Sequence, residues 1–116
     1  MKVLVIDDDS LVRRTLQRML RFGGHEVLDA ENGVRGLELF HQELPEIVVT
    51  DIIMPEQDGL GTIMLMKRER PGIRVIAISG GGRVGNVDVL EAASALGAAV
   101  IHKPFAAKQL LEQIDR

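Results

Sequence analysis

The chain contains no cysteine, no tryptophan and no tyrosine, and its only aromatic rings are Phe22, Phe40 and Phe105. Without cysteine there is no sign of a disulfide scaffold. Without indole or phenol rings there is no aromatic platform on which bases could stack. No apolar run approaches the roughly 18 residues needed to cross a bilayer. A net charge of −3 argues against a chain built to coat nucleic acid. The first apolar strand begins at Lys2, which leaves no length for a signal peptide. These absences lead to the expectation of a cytoplasmic protein that binds neither nucleic acid nor membrane directly. Its 116 residues fit one domain, 1–116, with a core burying roughly two-thirds of the unfolded surface.

What is present is a regular alternation of strand and helix signals. Lys2 to Ile6 (KVLVI) reads as a buried strand, followed by Asp7-Asp8-Asp9-Ser10. Val12, Leu16, Met19 and Leu20 then recur at helical spacing, with Arg13, Arg14, Gln17, Arg18 and Arg21 on the other face. An amphipathic helix therefore starts after an Asp9 or Ser10 cap and stops at Gly23-Gly24. Glu26 to Ala30 is a second strand. Asn32-Gly33 opens a helix with Val34, Leu37 and Phe40 inward, ending before Pro45. The run EIVVTDIIMP, Glu46 to Pro55, contains the third strand and places Asp51 where it surfaces.

A third helix is expected from Leu60 to Glu69, with Ile63, Met64 and Met66 filling the core. Ile73 to Ile78 forms a fourth strand opening into Ser79-Gly80-Gly81-Gly82, a loop that three glycines should make mobile. A fourth helix spans about Asn86 to Leu96, a fifth strand Ala98 to His102, and a last helix carries Ala107, Leu110, Leu111 and Ile114. Five strands alternating with five helices through short loops imply an α/β fold. It is a flavodoxin-like, doubly wound (βα)5 unit with a five-stranded parallel sheet in the order 2-1-3-4-5 and helices on both faces.

In that order the carboxyl ends of strands one, three, four and five share one rim, carrying Asp7 and Asp8, Asp51, Ser79 and Lys103. Converging carboxylates repel unless a pKa rises or a hard cation binds. Oxygen ligands without nearby histidine or cysteine point to Mg²⁺. Asp51 can then serve as a nucleophile toward phosphorus, with Mg²⁺ held by Asp7, Asp8 and Asp51 and the phosphoryl oxygens gripped by Ser79 and Lys103. Each residue also has a plainer reading, as a turn, a cap or a surface lysine.

Taken together, the acidic cluster after strand one, D-I-I-M-P at Asp51 to Pro55 with Asp58-Gly59, Ser79-Gly80, and Lys103-Pro104-Phe105 make the whole chain resemble a response-regulator receiver domain of two-component signalling. The resemblance implies that Asp51 accepts a phosphoryl group from a sensor histidine kinase or phosphotransfer protein. It implies that Asp8, Asp51 and the Ile53 carbonyl bind Mg²⁺, with Asp7 assisting through water, and that Ser79 and Lys103 move onto the phosphoryl group. Pro55, Gly59 and Pro104 shape the site, and the Lys103–Pro104 bond is expected cis. The chain would catalyse only its own phosphorylation and dephosphorylation. It would signal to a downstream protein partner or attached output domain through the fourth and fifth helices and the fifth strand. Val100 stands where an aromatic switch residue is common. Ile53 and Gly81 occupy positions that help place the attacking water in relatives, which implies a long-lived acyl phosphate.

Two other readings fit less well. Gly80 to Gly85 (GGGRVG) matches a dinucleotide fingerprint, but it follows the fourth strand, and His102 and Lys103 stand where a ribose-binding acid is expected. A flavin would lack its usual aromatic stacking. A Mg²⁺-dependent phosphohydrolase would carry a second aspartate where Ile53 stands. His25, His41 and His102 read as surface or loop residues.

Overall fold

The computed structural model describes residues 1–54, 57–79, 83–84 and 87–116. In chain order the elements are β1 Lys2–Ile6, α1 Ser10–Phe22, β2 Glu26–Ala30, α2 Gly33–Glu43, β3 Ile47–Asp51, β4 Ile53–Met54, β5 Gln57–Asp58 and α3 Gly59–Glu69. They continue with β6 Arg74–Ser79, β7 Arg83–Val84, β8 Val87–Asp88, α4 Val89–Ala95, β9 Ala99–His102 and α5 Ala107–Ile114. The main sheet is parallel, in the order β2-β1-β3-β6-β9. This is the expected flavodoxin-like order.

Side chains alternate across this sheet because successive Cβ atoms point to opposite faces. Val3, Val5, Ile47, Val49, Ile76, Ile78 and Ile101 pack with Leu16 and Leu20 of α1 and Leu110 and Ile114 of α5. Leu4, Ile6, Val48, Val75 and Ala77 pack on the opposite face with Leu39 and Phe40 of α2, Ile63 and Met66 of α3, and Val89, Leu90 and Ala93 of α4. Both faces of the central strands are therefore buried, as their unbroken apolar runs require.

Several expectations need correction. Val34 is exposed, because the inward stripe of α2 is Gly36, Leu39 and Phe40, at i, i+3 and i+4. Met64 is likewise exposed, since Thr62, Ile63 and Met66 form the buried stripe of α3. β6 runs one residue later than expected, so Ser79 belongs to the strand rather than to the loop. β9 begins at Ala99 instead of Ala98. α4 starts at Val89, where the Asp88 side chain accepts from the N–H groups of Leu90 and Glu91. The expected start at Asn86 and the glycines Gly80, Gly81 and Gly82 lie outside the described residues. Two small antiparallel pairs, β4 with β5 and β7 with β8, were not foreseen.

Candidate functional site

The parallel register brings the rim together. Asp51 pairs with Ile78, and the next step along β6, Ser79, pairs with His102. The Lys103 N–H donates to the Ser79 carbonyl at 2.9 Å, so the chain after β9 is tied to the last residue of β6. The Lys103 ammonium reaches back across the rim and lies 3.2 Å from Asp51 Oδ2. Asp51 and Ser79 are buried polar residues at the carboxyl ends of β3 and β6. The Thr50 hydroxyl donates to the Asp51 carbonyl at 2.8 Å, and the Ile52 N–H donates to the Ile78 carbonyl at 3.3 Å.

On the other side of Asp51, the loop after β1 sorts its three acids into two jobs. Asp9 caps α1, its Oδ1 accepting from the N–H of Leu11 at 2.9 Å and of Val12 at 3.3 Å. Asp7 and Asp8 face Asp51, and one carboxylate oxygen from each of the three falls within a cluster no more than 4.8 Å across. Asp7 is only 1% exposed. Burial pushes its carboxyl up to about 6; the negative charges of Asp51 and Asp8 add to this, while the Asp9 N–H bond and Lys103 oppose it.

This cluster tests whether Mg²⁺ suits the site. Three carboxylates against one ammonium leave a surplus of negative charge. All three donors are hard oxygens, the set that Mg²⁺ takes. The residues fit the cation.

Gly59 shows what shapes the floor. A Cβ added there would clash with the Ile52 carbonyl oxygen and lie 2.7 Å from Ile52 Cα. Only glycine lets the start of α3 pass so close to the chain leaving Asp51. Ile53 opens β4, opposite Asp58. The Lys103–Pro104 peptide bond is cis, the isomer that the resemblance implies. Pro55 lies outside the described residues, as does Gly81. Val100 is half-buried on β9. Among the histidines, His41 and His102 are exposed, but the loop residue His25 has a buried ring, 3.5 Å from Asp115 Oδ1.

Sequence reasoning missed Arg13 and Asp29. By its spacing Arg13 belongs to the face of α1 opposite the apolar stripe. Its Nη1 donates to the Asp7 carbonyl at 2.8 Å and its Nε to Asp29 Oδ2 at 2.9 Å. The available signal was position: an arginine in the first turns of a helix that begins directly after an acidic loop lies above that loop.

The profile of the response regulator receiver domain matches residues 3–115. The chain is 33% identical over 116 residues to the chemotaxis protein CheY of Bacillus subtilis, covering 99% of this chain and 95% of that protein. It is 36% identical over 115 residues to a probable transcriptional regulator ycf27 of Guillardia theta, covering 97% of this chain and 43% of the relative. The chain thus spans less than half the length of that regulator. Among solved structures, a response regulator receiver domain from Clostridium thermocellum aligns with TM-score 0.89 at 32% identity over 98% of this chain and 90% of that one. The receiver domain of NtrX from Brucella abortus aligns with TM-score 0.88 at 31% identity over 98% and 95%.

Proposed function

The chain belongs to the response regulator receiver domain family, a family of signalling modules rather than catalytic enzymes, and from that premise we propose that Asp51 is its phosphoryl acceptor. The observation that carries this reading is the position of the Asp51 carboxylate, between the Asp7–Asp8 pair on one side and the Lys103 ammonium at 3.2 Å on the other. A carboxylate oxygen of Asp51 attacks the phosphorus of a phosphohistidine. The new O–P bond forms as the N–P bond breaks, and the electron pair stays on the imidazole, which takes up a proton. Asp8, Asp51 and the Ile53 carbonyl would hold Mg²⁺, with Asp7 assisting through water, and the bound cation would offset charge on the phosphoryl oxygens.

Lys103 exchanges the Asp51 carboxylate for a phosphoryl oxygen, and the Ser79 hydroxyl donates to another. The Lys103 N–H to Ser79 carbonyl bond couples these two residues, so motion of one is passed to the end of β9. The output surface in this reading is the α4–β9–α5 face, where two clefts flank Val100 and His102, a mixed one with Asp88, Leu90 and Glu91 and a polar one with Gln109 and Glu112. The phosphoryl donor, a sensor histidine kinase or phosphotransfer protein, approaches over the apolar groove beside Lys103 that Leu11, Val12, Leu16 and Phe105 line. Residues 1–116 act as one receiver domain in the cytoplasm, passing the signal to a protein partner or an output domain.

The test is intact mass after incubation with phosphoramidate, with and without Mg²⁺. One phosphoryl adduct that needs Mg²⁺ and is absent from Asp51→Asn is the expected result. Equal labelling of Asp51→Asn would refute the assignment.

A further inference from the structure

The loop that carries Asp7 and Asp8 is held from outside the rim. Its backbone is fixed at Asp7 on both sides: the Asp7 N–H donates to the Ala30 carbonyl at 3.1 Å, and the Asp7 carbonyl accepts from Arg13 Nη1 at 2.8 Å. A peptide unit is planar, so fixing the oxygen of residue 7 fixes the N–H and Cα of residue 8. The direction in which Asp8 leaves the chain therefore depends on the Arg13 guanidinium. That guanidinium is itself held, because its Nε donates to Asp29 Oδ2 at 2.9 Å, and the Arg13 side chain is only 18% exposed.

The charges add a second argument. A lone cation beside three carboxylates would weaken the attraction for a metal ion. Asp29 balances Arg13, so the fork orients the Asp7 carbonyl without adding net positive charge next to the cluster. Lysine cannot do the same, since one ammonium cannot reproduce a planar fork that meets two acceptors in different directions. Asp29 lies on β2, an edge strand that contributes no residue to the rim.

We propose that the Arg13–Asp29 pair is a positioning device that sets the affinity of the acidic cluster for Mg²⁺ by orienting the Asp7–Asp8 peptide. The inference rests on the reading of Asp51 as a Mg²⁺-dependent phosphoryl acceptor and extends that site to the edge of the sheet. Arg13 touches no reacting atom. It acts through the Asp7 carbonyl, so its effect falls on the Mg²⁺ requirement and not on the phosphoryl step itself.

The experiment measures the initial rate of adduct formation from phosphoramidate across a Mg²⁺ titration, beside a thermal melt, for wild type, Arg13→Gln, Arg13→Lys and Asp29→Asn. Glu31→Gln serves as a control matched in charge to Asp29→Asn. Arg13→Gln is expected to raise the half-saturating Mg²⁺ about tenfold while leaving the rate at saturating Mg²⁺ within about twofold, the pattern for loss of a group that orients a ligand. Arg13→Lys should fall between it and wild type. Asp29→Asn should raise half-saturation about threefold, since it loosens the fork without removing it, and Glu31→Gln should leave it unchanged. Should Arg13→Gln fail to fold, the contrast between Asp29→Asn and Glu31→Gln decides. Half-saturation unmoved in the Arg13 and Asp29 variants, with or without a lower melting temperature, would overturn the proposal. So would a slower saturated rate at unchanged half-saturation. A wild type that needs no Mg²⁺ would instead bring down the reading of the whole site.

Discussion

The two halves of the rim hold their charges by different means. On the β1–β3 side, Asp7 is buried with its N–H, its carbonyl and one carboxylate oxygen all engaged, by Ala30, Arg13 and Asp9. On the β6–β9 side, Lys103 lies just past the sheet, its side chain 32% exposed, and its ammonium rests on the Asp51 carboxylate at the end of a flexible four-carbon stem. The carboxylate half is fixed in advance, and the gripping half can change partners. The proposed reaction uses both: a preset site for the cation and a mobile ammonium that would follow the phosphoryl group.

The sharpest way to break this comparison is to remove one charge from each half. Asp8→Asn should raise the half-saturating Mg²⁺ by about a hundredfold, the upper end for groups that merely support a metal ligand. Lys103→Met should leave Mg²⁺ binding unchanged or tighter, because it removes a positive charge from the cluster, yet slow adduct formation by about a hundredfold at saturating Mg²⁺. If Mg²⁺ affinity falls equally in both, the two halves are not separate devices.

A smaller effect is expected at the floor of the site. Gly59→Ala forces the α3 start away from the Ile52 backbone, and urea denaturation should show a loss of about 1–3 kcal/mol, the range for an overpacked contact. Unchanged stability would mean that this close approach relaxes at no cost.

The smallest effect concerns Asp7 without Mg²⁺. Its carboxyl is raised from 3.8 to about 6, so the folded chain holds that proton more tightly than the unfolded chain does. The contribution of this group to stability is therefore fullest below about 4 and declines as pH rises to about 6, with no further change above. Asp7→Asn should remove this decline and stabilise the Mg²⁺-free protein near neutral pH by about 1 kcal/mol. Chemical denaturation across the window, with and without Mg²⁺, checks both statements; a wild type that gains stability on going from pH 4 to 6, with Asp7→Asn showing no such gain, would contradict them.

Much of this architecture was legible because it rests on short-range rules. β-branched runs marked the strands, Asp9 and Asn32 marked helix starts, and the order 2-1-3-4-5 followed from the alternation of elements. Asp7, Asp8, Asp51, Ser79 and Lys103 were legible as a group because each lies at or just past the carboxyl end of a strand on the same edge of the sheet. What was not legible depends on contacts distant in sequence. Val34 and Met64 are apolar yet point outward, since the helices turn smaller residues, Gly36 and Thr62, toward the sheet. Arg13 looked like one of several arginines on a solvated face, and only the packing of α1 beside β2 shows that its fork closes on Asp7 and Asp29. Gly59 was marked as shaping the site only through the family resemblance; the reason, a close approach to the Ile52 backbone seven residues earlier, shows only in the fold.

The central claim is that Asp51 carries the phosphoryl group, and borohydride trapping followed by peptide mapping tests it at the level of the residue. Reduction converts an aspartyl phosphate to homoserine. The account predicts homoserine at position 51 alone, formed only when Mg²⁺ was present during phosphorylation. Homoserine at position 7 or 8, or labelling at position 51 that does not require Mg²⁺, would contradict it.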